Sequence, residues 1–558
     1  MKEQETPNSS TLISRFSFPP DHPYSKWLVA LSLLTGTLAA ALSWTSLNLA
    51  IPRMMIDLRV DIDGIKWVLT ASQITNTIMM PTVGWLGNRM GNKNLYLLSL
   101  FLFMVGSAFC GLSWNLESLV FFRILQSFGG GPMFPIAMTI MYSTFPQNQR
   151  GLALGIFTFS FTMGQAIGPT LGGYLVEHLS WRSVFYLNIP VGIVGLLFAA
   201  IFLSKEIDET KKPLDFWGFG AMTSFLITFL LAFSQGQKEG WDSSYIIMLM
   251  TISVVSLILF VAIEVMIKDP LVELRLFKNL GFTMSIVVSI MNNMSFMGSN
   301  FLLAIFIQNV LGYTPLQAGW LMLPPALIMG FTGIWSGRLS DQFDPKYLIA
   351  FGLAFMGLVW YRFSYLSPLE GTAFILFLLA LQSFTRAWAM TPITTACLRT
   401  LPERDIRMGS GILSLIRSIG GTFGVAMSAT IFLNRQAYHT IQLFRDEHLT
   451  SSATQQFLQS LQKTFLQGGD TLAIARMRSL SMVRNQLIRE GSIAAYHDIF
   501  LLVAVMSMLA AAPALLIFQP KPTAQEKPVE ERSVLERPPT TVRPQTAVRS
   551  RPAAPVAP

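Results

Sequence analysis

The chain is poor in charge, cysteine and histidine. Asp, Glu, Lys and Arg make up only 13% of its 558 residues. A soluble domain carries about 25%, so most of this surface faces something other than water. Cys110 and Cys397 are the two cysteines. They lie far apart in apolar sequence, which argues against a disulfide or a metal site. Histidines are few, and His178, His439, His448 and His497 fall in or near polar stretches, where they read as solvated surface groups. There is no HExxH, no GxSxG and no phosphate-binding glycine loop, so an enzyme finds little support and no cofactor or metal is expected. The first ~25 residues are polar, which speaks against a cleavable signal peptide.

Apolar sequence is plentiful. Hydrophobic residues are 52% of the chain and its mean hydropathy is +0.49. Runs of roughly 20 apolar residues, the length that crosses a bilayer, fall near 27–51, 66–86, 95–113, 117–141, 152–175 and 182–204. A pair follows near 214–234 and 243–267, and six more lie near 279–304, 315–337, 346–365, 371–396, 408–434 and 496–518. The expected fold is all-α and integral to a membrane, with fourteen spans arranged 6 + 2 + 6. The divisions are an N-terminal segment 1–26, a six-helix bundle 27–204, an inserted pair 214–267, a second bundle 279–518 containing an outer loop 435–495, and a tail 519–558. The outer loop reads as helical, with Asp470 as a cap and a stop before Gly491. The Pro-rich, charged tail reads as disordered. The formal charge of +9 sits in short loops and the tail, which fits an anionic membrane surface better than nucleic acid. Fourteen Lys and Arg in the loops of one face against six in the other place both termini in the cytoplasm.

One stretch occurs twice. GWLGNRMGNK, from Gly84 to Lys93, returns as GRLSDQFDPK, from Gly337 to Lys346, at a constant offset of 253 residues. Gly84 meets Gly337, Lys93 meets Lys346, and upstream Trp67 meets Trp320. An offset this long is no solenoid period. It is what two halves of a duplicated transporter would give, related by a pseudo-twofold axis. Each copy is a tight basic connection on one face, with Asn88, Arg89, Gly91 and Lys93 in the first and Asp341 and Lys346 in the second.

The fifth span contains GQAIGPTLGG, in which Gly164, Gly168 and Gly172 recur on one helical face, followed by Gly173, and Pro169 can bend the helix. Together with the duplicated loop, this resembles the major facilitator superfamily, specifically its fourteen-span drug:proton antiporter family of the EmrB/QacA type. FFRILQSFGGGPMFP (121–135), IRSIGGTFG (416–424) and AAYHDIF (494–500) are similar to that family's fourth, thirteenth and fourteenth spans. The resemblance implies proton transfer at Arg123 and, for some members, a periplasmic membrane-fusion adaptor as partner. Physically, a guanidinium at that depth belongs in an interior or polar cavity, with Gln126 on the same face.

Two departures qualify the resemblance. Ser43 in ALSWTSLNLAIP (41–52) stands where the family's first span carries an aspartate, and serine cannot titrate near neutral pH. Asn88 stands where the loop usually has aspartate, so a less tightly latched gate is expected. The remaining proton-coupling candidates are Arg123, Asp498 and Glu264, the two acids reading first as interfacial groups. Substrate-cavity candidates are Asn48, Gln73, Asn76, Gln126, Gln165, Asn292, Asn293, Asn300 and Gln382, together with Arg386 and Arg417. For those two arginines, function and structural pairing are equally open. Arginines without a central acid favour neutral or anionic amphiphiles over cations. The reading is a proton-coupled exporter of small amphipathic substrates in the inner membrane. The alternative is a transport-inactive sensor or scaffold of the same fold.

Overall fold

The protein's structure, a computed structural model, describes residues 24–204, 215–267, 269–367, 370–446 and 452–517. The N-terminal segment before 24, Lys205, Lys211, Lys212, Lys268, His448 and the tail from 519 lie outside them.

The described residues are helical throughout their ordered elements. The first group is α1 (Ser25–Leu58), α2 (Ile62–Met79), α3 (Val83–Met90), α4 (Asn92–Gly111), α5 (Leu116–Thr144), α6 (Arg150–His178), α7 (Ser183–Tyr186) and α8 (Asn188–Phe202). A pair follows, α9 (Phe216–Glu239) and α10 (Ser244–Met266). Then come α11 (Leu280–Asn309), α12 (Pro315–Gln342), α13 (Pro345–Phe363), α14 (Thr372–Arg399), α15 (Ile406–Asp446), α16 (Ser452–Gln467), α17 (Leu472–Leu509) and α18 (Ala511–Leu515).

Helix lies at every one of the expected apolar runs, and among the described residues ten helices are long and apolar enough to cross a membrane. α2, α5, α12 and α13 fall outside that set. Pro81, at the Met79–Val83 break, divides the expected second span into α2 and α3, because proline cannot donate to the helical ladder. The outward surface explains why a bilayer is needed. On α10 alone Ile247, Val254, Val255, Ile258, Leu259, Val265 and Met266 are exposed. In water that patch would drive association; in lipid it is the solvated face.

Small residues set the closest helix contacts. A side chain at Gly155 would meet the Gly333 carbonyl at 2.5 Å, and Gly151 faces the Gly337 carbonyl, so α6 and α12 run backbone against backbone. The α9–α10 pair is tied to the rest through α2 and α15: Lys238 Nζ lies 2.6 Å from Asp63 Oδ2, and Trp241 Nε1 donates to Thr430 Oγ1 at 3.1 Å.

The segment read as an outer loop departs from expectation. α15 continues helically to Asp446, and α17 runs without a break from Leu472 through Gly491 to Leu509. Gly491 is a packing position: a β-carbon there would meet the Thr440 backbone nitrogen at 3.0 Å. Asp470 does not cap α17; its carboxylate accepts from Arg478 Nη1 at 2.7 Å, and Thr471 occupies the cap.

A bulky residue should therefore separate α6 from α12. Gly155→Leu is expected to cost about 1–3 kcal/mol by overpacking, read as a lower melting temperature and faster hydrogen exchange in 150–160 and 330–341. Gly220→Ala, whose added methyl meets nothing within 4 Å, should be neutral or stabilise by about 0.5–1 kcal/mol.

Candidate functional site

The two repeat loops lie at the same end of the bundle, and each grips a helix start from the far side of the sequence. In the second copy Asp341 takes the N-terminus of α6, accepting from the backbone of Gly151 at 2.6 Å and Leu152 at 3.0 Å. A carboxylate there satisfies two orphan amides and meets the positive end of the helix dipole. In the first copy Asn88 Oδ1 accepts from Arg407 Nη1 at 2.9 Å, and Asn92 Oδ1 accepts from Arg407 Nε at 2.7 Å, at the start of α15. Asn88 thus still holds an arginine, through a neutral acceptor. Gly84 and Gly87 press against Met408 and Arg407. Gly91 has φ 78, which glycine adopts without strain; the matching Asp344 has φ −65 and caps α13 instead. Lys93 Nζ caps the end of α8, donating to Ala200 and Leu203 carbonyls at 2.7 and 2.6 Å. Lys346 pairs with Asp344 at 3.3 Å, and Arg89 lies over the Trp85 ring at 5.3 Å. Arg150 and Glu403, 2.6 Å apart, add an ion pair at this end.

The GPxxGG face of α6 packs on α1. Gly164, Gly168 and Gly172 abut Ala41, Thr45 and Ser46, and Ser46 Oγ donates to the Gly168 carbonyl at 2.8 Å. Pro169 is half-buried beside this contact. Gly173 makes only an ordinary contact with Leu49, at 3.5 Å.

Two turns into α5, Arg123 is 4% exposed. Its Nη1 donates to Gln126 Oε1 at 2.6 Å; Gln126 Nε2 donates to Ser107 Oγ at 3.0 Å and reaches Ser43 Oγ at 3.5 Å. Asn188 Nδ2 also donates to Ser107, at 2.9 Å, and the Phe185 ring faces the guanidinium at 5.9 Å. α1, α4, α5, α7 and α8 therefore converge on one buried polar network. Ser43, in place of an acid, is a member of it. The arginine is held by a neutral amide, and its Nε has no partner.

A second cluster lies between α5, α6, α14 and α15. A narrow cleft is lined by Phe134, Met138, Leu154, Phe157, Thr158, Phe161, Met390, Thr394 and Arg417. Arg417 donates to Thr394 Oγ1 at 2.6 Å and Ser289 Oγ at 3.2 Å, and Asn293 bonds its carbonyl at 2.5 Å. Arg386, one turn from Met390, is 3% exposed and lies on the Phe296 ring. Along the flank of the cleft, hydroxyl and amide pairs join α2 and α5 to α15: Gln73 to Thr422 at 2.7 Å, Thr77 to Ser418 at 2.7 Å and Thr139 to Ser410 at 2.7 Å.

The remaining candidates are placed as follows. Gln382 and Asn292 are buried, each with an unpartnered amide atom, as is the half-buried Asn76. Gln165 is half-buried and Asn48 exposed. Asn300 turns back on the Phe296 carbonyl of its own helix at 2.9 Å, as helical amides do when no ligand or partner claims them. Glu264 is buried, but away from the arginines: both its oxygens accept from the Val272 amide at 3.3 Å, fixing the turn after α10. Asp498 is joined to α15, with His439 Nε2 at 2.7 Å and Arg435 Nε at 3.2 Å. His439 is thus an acid's partner rather than a solvated group, and His497 bonds the Leu366 carbonyl at 3.2 Å. The sequence held a signal for the first pair: Arg435 and His439 are four residues apart on one helical face, the spacing at which two side chains can share one acid.

Cys110 and Cys397 are buried and unpaired. Among the described residues no group of three His, Cys, Asp or Glu is placed to hold a metal.

A many-helix bundle with lipid-facing flanks, buried guanidinium groups and paired loops that clasp opposite helices is a multi-pass membrane transporter. The chain belongs to the Major Facilitator Superfamily, whose family model matches residues 33–425. It is 31% identical to the uncharacterized MFS-type transporter YhcA of Bacillus subtilis over 77% of this chain and 80% of that protein. It is 27% identical to the multidrug export protein EmrB of Haemophilus influenzae, over 88% of this chain and 95% of that one. Among solved structures it is similar to the human organic anion transporter MFSD10, with a TM-score of 0.55 and 14% identity, covering 87% of this chain and 100% of that chain. That last likeness shows the fold alone.

The unequal loops make a paired prediction. Asp341→Asn keeps an acceptor and removes the charge, so the grip on α6 should weaken by about 0.3–1 kcal/mol. Asn88→Asp should strengthen the hold on Arg407 by on the order of 1 kcal/mol. Hydrogen exchange should rise in 150–154 for the first variant and fall in 406–410 for the second; equal changes at both sites would refute independent grips.

Proposed function

We propose that the protein is a proton-coupled secondary exporter of small amphipathic molecules, with a bias toward neutral or anionic ones. In this reading fourteen spans, arranged 6 + 2 + 6, cross the inner membrane with both termini in the cytoplasm. The bundles 27–204 and 279–518, related by a pseudo-twofold axis, rock about the cleft. The observation that carries it is the reciprocal clasp: position 88 holds the start of α15, and position 341 holds the start of α6. Each bundle thereby latches the other at one end, and release of that latch opens the cleft to that side. The relatives named as multidrug export proteins support export; one named as a riboflavin transporter shows that substrates vary among relatives of this chain.

Coupling is assigned to Asp498, the acid that joins α17 to His439 and Arg435 of α15. Glu264 has its oxygens occupied by backbone and serves the turn after α10. Arg123 keeps a positive field in the first bundle without an acid to relay protons. The helical extension beyond α15, with Leu472, Ile474, Met477 and Met482 exposed on α17, is where a periplasmic adaptor would dock.

Proteoliposomes with a pH gradient test this directly. Wild type should concentrate a neutral or anionic amphiphile against its gradient, and Asp498→Asn should abolish uphill movement while leaving exchange. Uphill export at the wild-type rate in Asp498→Asn would remove Asp498 from coupling. No movement of any amphiphile would return the chain to the sensor or scaffold reading. Ser43→Asp, which restores an acid beside Gln126, should shift preference toward lipophilic cations by about tenfold, an amount equal to roughly 1.4 kcal/mol.

A further inference from the structure

The second bundle contains a positive charge that nothing in the described protein neutralises. Arg386 is 3% exposed, and its Nε and Nη1 have no partner. Its only hydrogen bond is a weak one, from Nη2 to the Met390 sulfur at 3.9 Å. The Phe296 ring beside the guanidinium satisfies none of its N–H groups. Arg417 lines the same cleft as Met390, the residue that Arg386 Nη2 touches. Among the described residues no Asp or Glu bonds to either. A buried, unpaired guanidinium costs several kcal/mol, and a second like charge beside it raises that cost.

The same region carries further unused polar atoms. Gln382 Nε2, one turn before Arg386 on α14, has no partner; neither does the Ser295 hydroxyl, next to Phe296 on α11, nor the acceptor Asn292 Oδ1 one turn before Phe296. All three residues are buried. The stripe Arg386, Met390, Thr394 leads along α14 to the cleft, where Arg417 is bonded to Thr394. Donors without acceptors, a surplus of positive charge and an apolar cleft alongside are the parts of a site for an anionic head with an apolar tail.

We propose that Arg386 and Arg417, with Gln382 Nε2 and the Ser295 hydroxyl as further donors, form an anion site that takes a sulfonate, carboxylate or phosphate oxyanion, or a small inorganic anion of the same charge. The site names the substrate head group for the exporter and rests on that reading for its biological role. Its binding chemistry stands apart from transport. Arg386 supplies the open N–H groups, and Arg417 is the second charge at the mouth of the cleft.

Binding is measured on the full chain in phosphatidylcholine nanodiscs. The probes are dodecyl sulfonate, dodecanol and dodecyltrimethylammonium, and separately sodium chloride titrated into low-salt buffer. Wild type should bind the sulfonate about tenfold or more tightly than the alcohol, with a matching rise in melting temperature. Arg386→Gln should collapse that ratio and Arg386→Lys restore part of it. Arg386→Met, in low-salt buffer without added sulfonate, should melt at or above wild type, because a buried charge has been removed rather than a pair broken. Chloride that stabilises wild type and competes with the sulfonate identifies a site open to inorganic anions; response to the sulfonate alone identifies a head-group site. Equal sulfonate affinity in wild type and Arg386→Gln, or a sharp loss of stability in Arg386→Met, overturns the proposal. Export that persists without Arg386-dependent binding sinks the site and leaves the exporter. Binding without any export does the reverse.

Discussion

Everything in this bundle depends on helix α6 being narrow on two sides at once. Gly151 and Gly155 face α12, and Gly164, Gly168 and Gly172 face α1. Nine residues separate Gly155 from Gly164, about two and a half turns at 3.6 residues per turn, so the two glycine stripes lie on opposite faces. One serves the helix's own bundle, the other the partner bundle. In lipid no hydrophobic drive pulls helices together, so close backbone approach and dispersion must supply the adhesion. α6 is where both demands meet, and Asp341 fixes its first turn.

The clasp at that end is unequal. One copy of the repeat uses a carboxylate against helix amides, the other a neutral amide against an arginine. Charge-assisted contacts are roughly twice as strong as neutral ones, but Arg407 supplies a charge to the weaker copy as well, so the asymmetry lies in direction more than in strength. At the second-copy site the bond moves with the α12–α13 loop. At the first it moves with the start of α15. In the proposed rocking motion, one carboxylate–helix contact and one arginine–amide contact break together.

Much of this was legible from residues alone. The fixed offset between Gly84 and Gly337 placed two matching loops, and the structure puts both at one end. Burial of Arg123 followed from the expense of a guanidinium in hydrocarbon. Other features were hidden for physical reasons. Gly491 read as a helix stop because glycine ends helices in water; against Thr440 it is a contact point, and the helix continues. Glu264 looked available because its position along the chain says nothing of the returning backbone at Val272. His439 and Asp498 are 59 residues apart, and only the antiparallel packing of α15 and α17 brings them together.

Arg123 and Arg386 show how differently one side chain can be buried. Both are almost wholly enclosed. Arg123 is embedded in amides and hydroxyls, which replace water as dipoles and spread its charge over Gln126, Ser107 and Asn188. A dipole shell of that kind tolerates a fixed charge and leaves little for a ligand to add. Arg386 has an aromatic face and a thioether, which solvate poorly, and its free N–H groups keep most of their capacity for an oxyanion. Since only a group with differential affinity for two states can shift their balance, the poorly solvated arginine is the better lever on the conformational cycle. The well-solvated one sets a constant positive field within the first bundle.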